Sequence, residues 1–420
     1  MKRLFSSFSL LLFFLSAVVL YKFWPLSAPD SVVPPSVVQE IPIDKPVLPG
    51  PVQLKRAQFS QLPGWKDASL KKSFLTFQLS CNTFLKQDPQ ADAGSNQIPL
   101  KVKDWLPACK AAKKLSKVDE KKARSFFRKW FVPFEFFQDK PVDGLFTGYY
   151  LPLLHGSLAK TSEFNVPIYG LPDNIVTVNP ADFGYKGINR RLVGRVVNGK
   201  LLPFHVREEI NKGVLKENAP VLLWVDSHID RLYLEIQGSG IVKLPNGETI
   251  FLGYAGENGA SYTPIGRVLI EKGIMTKENA SMQSIRAYLE AHPDEILPVT
   301  NKNESFVFFK QLKNSAAMGA QGVPLTPGYS LAVDRKWIPL GTPLWLDTSH
   351  PAANMPEPQT FQRLMIAQDT GGAIRGQVRG DVFWGEGEEA TYTAGLMKNP
   401  GHYWLFLPRH AEKKLPKQFD

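Results

Sequence analysis

The apolar residues of this chain change their spacing near Phe131, and that change limits the fold more than any single motif does. Between residues 58 and 131 they recur at helical intervals: Phe74, Phe77, Cys81, Phe84 and Leu85, then Trp105, Ala108, Cys109 and Ala112. A third helix is predicted from Ser116, with Asp119 placed for a capping box and Ala123, Phe126, Phe127 and Trp130 as its apolar stripe. From about residue 151 short strand-like runs take over, and Asn198-Gly199 and Asn246-Gly247 read as hairpin turns. One helical pair interrupts them. Thr263 caps its first helix, Pro264 leads it and Gly273 ends it, while His292-Pro293 stops the second. Beyond Gly319 come strand runs at 329–333, 343–346, 364–368, 382–384 and 403–407, with a helix at 388–397 before the last. A strand, helix, strand order implies one parallel crossover, so a mixed barrel or small α/β unit is expected there rather than a meander.

Residues 4–21 carry no charge and follow Lys2-Arg3, a pattern that spans a bilayer or forms the apolar part of a secretory signal. No cysteine follows to accept a lipid and no clear cleavage site is present, so residues 1–24 read as an uncleaved signal anchor, or a signal peptide, with the body exported. Eight prolines between residues 25 and 51 mark a spacer, taken to end at residue 57. The composition, 43% hydrophobic and 21% charged, excludes a disordered chain and a multi-span membrane protein, and 420 residues allow two or three domains. Cys81 and Cys109 are the only cysteines, which excludes a Cys-rich zinc site; they are either bridged or two free core thiols. Most of the net charge of +11 sits in residues 101–130, where eleven cations face three acids. Such a run is either a solvated helix face or an attractor for an anionic polymer or membrane surface.

The seven histidines are scattered with no pair four apart, and GxSxG and P-loop motifs are absent, so no metal and no cofactor are expected. Residues 385–390 match G-x-G-x-x-A, but only 30 residues follow, too few for a dinucleotide-binding half. The carboxylates of the Gly-rich C-terminal section carry more information. Asp334, Asp369 and Asp381 each stand at a predicted strand end or turn, where a scaffold holds a side chain over a cleft. Asp381 heads an apolar strand, and alternation puts it on the face of Phe383, opposite Val382 and Trp384. Apolar surroundings and a neighbouring Asp369 raise a carboxyl pKa; an inward-pointing Arg379 or Arg375 opposes that.

These segments resemble the membrane-bound lytic murein transglycosylase A family. The matching stretches are residues 146–150 (FTGYY), 235–240 (EIQGSG), 253–259 (GYAGENG) running on to SYTPIGRVLIEKG, 305–310, and the three Asp segments, in order between residues 140 and 408. The resemblance implies a mainly β fold with α: a double-psi β-barrel, a helical N-terminal part, an inserted β-rich second domain and a groove between the domains. The implied boundaries are 58–150 for the helical part, 151–312 for the inserted substrate-binding domain and 313–420 for the barrel. It implies Asp381 as the sole catalytic acid/base, with Asp369 and Thr147 beside it. Candidate glycan contacts are Tyr149, Tyr150, Gln237, Ser239, Asp334, Gly371, Gly372, Phe383 and Trp384, and alternation allows only one of each adjacent aromatic pair to line the groove. The implied activity is exo-acting, non-hydrolytic cleavage of the β-1,4 bond between N-acetylmuramic acid and N-acetylglucosamine, with 1,6-anhydromuramoyl products. The N-terminal segment puts the body in the periplasm, anchored at the inner membrane by preference, with the outer membrane or a cleaved soluble form as alternatives. The lipobox cysteine that many members of that family carry is missing here, which speaks against lipoprotein sorting to the outer membrane. The partners are then peptidoglycan glycan strands and other cell-wall enzymes, with no nucleic acid. A non-catalytic peptidoglycan-binding protein is the alternative.

Overall fold

The computed structural model describes residues 51–185, 191–313 and 317–416. The predicted anchor, residues 1–24, and the spacer as far as residue 50 lie outside the described residues. Among the described residues no helix is long and apolar enough to cross a membrane. The folded part begins earlier than residue 58, because Gln53–Arg56 is a strand that pairs antiparallel with Phe131–Gln138.

Three helices come first: α1 (Lys71–Phe84), α2 (Val102–Lys114) and α3 (Glu120–Trp130). The third starts later than the predicted Ser116, since the Asp119 carboxylate accepts from Lys122 N at 2.7 Å and is itself the N-cap. Glu120 is thereby free to cap a different helix. Its carboxylate accepts from the Ser69 hydroxyl at 2.7 Å and from the backbone N–H groups of Leu70 and Lys71, at the start of α1. Cys81 and Cys109 form a disulfide between α1 and α2. Phe74, Phe77, Phe126, Phe127 and Phe131 pack edge to face in the core beneath.

Six strands then close a barrel: β1 (Gly144–Leu151), β2 (Ser330–Val333), β3 (Pro343–His350), β4 (Gln359–Asp369), β5 (Arg379–Glu386) and β6 (Lys398–Pro408). Their order around the ring is β6-β3-β4-β2-β5-β1, and β1 pairs back onto β6. Closure leaves none of the six as an edge. The β2/β4 and β1/β5 pairs are parallel and the other four are antiparallel. Exchanging β2 with β5, β3 with β6 and β4 with β1 reproduces the same pairings, so the barrel consists of two interlocked halves of like design.

The predicted parallel crossover between β5 and β6 does not occur. The helix Glu388–Leu396 joins them, but β1 lies between, parallel to β5 and antiparallel to β6, so the two run in opposite directions. The parallel partner of β5 comes from far earlier in the chain, which local spacing does not reveal.

Between β1 and β2, residues 153–312 form a second six-stranded sheet. Its order is Val307–Leu312, Thr249–Glu257, Ser239–Lys243, Leu153–Ser157, Val221–Val225, Val166–Tyr169, and a Gly170–Phe309 bridge links its two edges. Asn198 and Gly199 take φ values of 49° and 75° in the hairpin of a separate three-stranded sheet. Pro264 rather than Thr263 is the N-cap residue of Ile265–Glu271. The predicted helical pair is joined by Arg207–Asn211, His228–Gln237 and Ile296–Thr300. The Arg207 guanidinium bridges both carboxylate oxygens of the buried Glu235, at 3.1 and 2.6 Å, and so ties two of these helices together.

The disulfide links positions 28 residues apart. Replacing both cysteines with serine is expected to lower unfolding stability by about 3 to 4 kcal/mol. Urea denaturation of the oxidised protein and the double variant measures the loss.

Candidate active site

Strand register alone assembles the carboxylates. In the parallel β1/β5 pair Asp381 lies opposite Thr147, across the β2/β5 pair it lies opposite Ala332, and across β2/β4 Ala332 lies opposite Asp369. Asp369, Ala332, Asp381 and Thr147 therefore form one row across four adjacent strands, with the small methyl of Ala332 between the two acids. The row depends on a bulge. Leu331 pairs with Ala367 and Ala332 with Asp369, so Gln368 is the extra residue that puts Asp369 on the face of Asp381. Gln368 is fully buried: its oxygen accepts from Ser330 at 2.6 Å and its amide donates to Thr76 O and Ser80 Oγ of α1, at 3.1 and 2.9 Å.

The two aspartates are held differently. Asp369 accepts three hydrogen bonds at 2.9 Å: Ala320 N and Thr370 N on Oδ1, and the Tyr149 hydroxyl on Oδ2. Burial pushes its carboxyl above the usual range, these donors pull the other way, and the nearby Asp381 adds to the rise. Asp381 is half-buried and accepts one bond, from the Thr147 hydroxyl to Oδ1 at 2.5 Å. Its Oδ2 accepts none from the described residues. Burial raises the Asp381 carboxyl above the ordinary range, opposed by the Arg379 cation and the Thr147 bond. Arg379 Nη2 donates to Thr147 Oγ1 at 2.8 Å, so Arg379, Thr147 and Asp381 form a chain.

The other candidates sort by face. Tyr149 and Phe383 share the side of Asp381, their rings 5.2 Å apart, and are buried with Ala332, Ile374 and Ile241. Tyr150 and Trp384 point to the opposite side, a correction to their reading as glycan contacts. Trp384 packs on His350 and Phe361, and Tyr150 lies against Ala390 and Ala394. Gln237 ends the helix His228–Gln237 and accepts from Tyr150 N at 3.1 Å, so its carbonyl braces β1. Ser239 opens the following strand and is half-buried. Asp334 is only 5% exposed and accepts from Lys336 N and Gly376 N, at 3.0 and 2.9 Å, which makes it a brace between two loops. Gly371 and Gly372 follow β4 in an open turn; a Cβ at Gly372 would meet nothing within 4 Å. Sequence reasoning missed Gln368, Ala332 and Ala320, because a bulge and a loop amide leave no pattern. Among the described residues no cluster of His, Cys, Asp or Glu could hold a metal ion.

Two family models match this architecture: the MltA specific insert domain over residues 145–310 and the 3D domain over residues 329–407. The membrane-bound lytic murein transglycosylase A of Vibrio cholerae is 33% identical over 281 residues, which cover 66% of this chain and 69% of that protein. The chain belongs to the membrane-bound lytic murein transglycosylase A family. The Escherichia coli K12 member is 35% identical over 263 residues, 62% of this chain, and the match spans 64% of that protein's length, just under two thirds. Among solved members, a membrane-bound lytic murein transglycosylase from Agrobacterium tumefaciens superposes with a TM-score of 0.76 at 29% identity, covering 87% of this chain and all of that one. E. coli MltA with bound chitohexaose superposes at 0.61 with 27% identity, covering 86% and 95%.

Because the folded state raises the pKa of Asp381, its ionised form is a cost to folding above that pKa, and the cost disappears as pH falls through it. Asp381→Asn, which mimics the neutral form, is expected to melt at a higher temperature than wild type near pH 7. Thermal melts between pH 4 and 8 should show the gap closing on acidification; a gap of constant size contradicts a raised pKa.

Proposed function

We propose that this protein is a lytic transglycosylase of peptidoglycan, cutting the β-1,4 bond between N-acetylmuramic acid and N-acetylglucosamine. The observation that carries the reading is the unequal treatment of two carboxyls in one row. Burial raises the pKa of both, but Asp369 is occupied by three donors, whereas Asp381 keeps Oδ2 free of partners among the described residues. Ordinary glycosidases use two working carboxylates, one as acid and one as base or nucleophile. Here one carboxyl is left to react. That suits a reaction whose nucleophile is the sugar's own C6 hydroxyl.

In this scheme protonated Asp381 gives its proton to the glycosidic oxygen, and the resulting carboxylate then takes the proton from O6 as it attacks C1. The products are a 1,6-anhydromuramoyl end and a free N-acetylglucosamine end, and no water is consumed. Attack within one sugar also avoids the entropy of recruiting a second reactant. Thr147 holds Asp381, and Tyr149 with two backbone N–H groups holds Asp369 beside it.

We further read residues 151–312 as a glycan-binding domain set into a catalytic unit made of residues 58–150 and 313–420, with the strand held in a groove between them. The bound chitohexaose in the E. coli relative supports a saccharide ligand for that groove. The name of the family and the apolar run at residues 4–21 support anchoring at a membrane, with the body in the periplasm.

Digestion of purified sacculi tests the proposal. Wild type is expected to release anhydro-muropeptides by mass spectrometry, and Asp381→Asn to fold and release at least about a hundredfold less, the lower end of what a general acid supplies. Wild-type products with reducing ends make the enzyme a hydrolase, and binding without any release makes it a non-catalytic wall-binding protein.

A further inference from the structure

We propose that Arg379 is a positioning residue that decides which oxygen of Asp381 carries the reacting proton. The proposal rests on the acid/base reading of Asp381 given above. A guanidinium can only donate hydrogen bonds, and a threonine hydroxyl has one proton to give. Arg379 Nη2 donates to Thr147 Oγ1 at 2.8 Å, which fills one of that oxygen's two lone pairs. The cation also polarises the O–H bond, making the hydroxyl a poorer acceptor and a better donor to Asp381 Oδ1, 2.5 Å away. Oδ1 is then an acceptor whether or not the carboxyl is protonated. The acidic proton is left to Oδ2, the oxygen with no partner among the described residues.

Arg379 is itself fixed. Its Nη1 donates to Leu145 O at 3.3 Å and to Gly380 O, which fastens the guanidinium across β1 and β5. Among the described residues Tyr403 from β6 faces Arg379, and the other charged or titratable groups near Asp381 are Asp369 from β4 and Tyr149 from β1, which are bonded to each other at 2.9 Å. Neither competes for the Thr147 hydroxyl. Without Arg379 that hydroxyl can rotate and accept a proton from Oδ1, so the acid proton is shared between two oxygens and only one geometry is productive. The lost cation also removes a force that opposes the raised pKa of Asp381.

The test is the pH dependence of kcat and KM on soluble glycan strands, with the full chain as wild type, Arg379→Met, Arg379→Lys and Thr147→Val. For Arg379→Met, kcat is expected to fall on the order of tenfold or more, with KM nearly unchanged. The alkaline limb, where Asp381 loses its proton, should move up by about one pH unit. Arg379→Lys, which keeps the charge and a donor, should return the limb toward wild type. An unmoved limb in a folded Arg379→Met protein overturns the proposal. Should that variant not fold, Thr147→Val removes only the hydroxyl: the same fall in kcat with an upward limb supports the relay, and wild-type kinetics overturn it. If wild type itself forms no anhydro product, the catalytic reading fails, and carboxyl carbon NMR titration of Asp381 still decides the relay. A higher pKa in Arg379→Met or Thr147→Val than in wild type supports it, and equal values overturn it.

Discussion

The parallel pairing of β1 with β5 is the contact on which the site depends. It brings Thr147 and Asp381 together although they are 234 residues apart, and it also supplies the strand that closes the barrel. Each strand of a closed barrel has its tilt and register fixed by two neighbours. The hydroxyl and the carboxyl thus meet at a spacing set by backbone hydrogen bonds rather than by a mobile loop. Asp369 joins the same row through a single inserted residue on β4, and Gln368 holds that insertion in place by bonding into α1.

Within this frame, chemistry is divided by hydrogen-bond supply. Both acids are removed from much of the solvent, and desolvation is the leading cause of the raised pKa of each. Three donors anchor Asp369, so its oxygens have little left to offer a substrate proton. Asp381 has one anchored oxygen and one that has no partner among the described residues. The same desolvation that makes Asp381 a usable acid works against folding at neutral pH, a trade of stability for reactivity seen where a protein keeps a strained group for function.

Much of this was legible in the chain. Alternation along residues 381–384 separated Asp381 and Phe383 from Val382 and Trp384, because the register shift in β5 comes only after Phe383 and the strand up to that point has period two. The Phe stripes located α1 and α3, and Asn198-Gly199 located a hairpin, since each signal is local. Non-local facts were not legible. One bulged residue reverses the face of everything after it, so Asp369 could be placed near Asp381 only by resemblance. The helix His228–Gln237 was hidden by Leu232, Leu234 and Ile236, which mimic strand alternation although Ile236 is 41% exposed. Asp334 looked like a cleft residue because it follows a strand, yet its oxygens are turned to the backbone of its own loop and of the loop before β5.

The sheet formed by residues 153–312 also bears on how the barrel can assemble. Leu153, Ile241, Phe251 and Leu312 lie in one row of that sheet. Its entry and exit are thus three strand spacings apart, roughly 14 Å. Once this sheet has formed, the stretch that must be brought round to join β1 to β5 behaves as one of some 74 residues instead of 234, which lowers the entropy of ring closure by about 1 kcal/mol. An early-folding insertion of this kind works as a splint, drawing the two distant arms of the polypeptide toward each other before the last strands arrive.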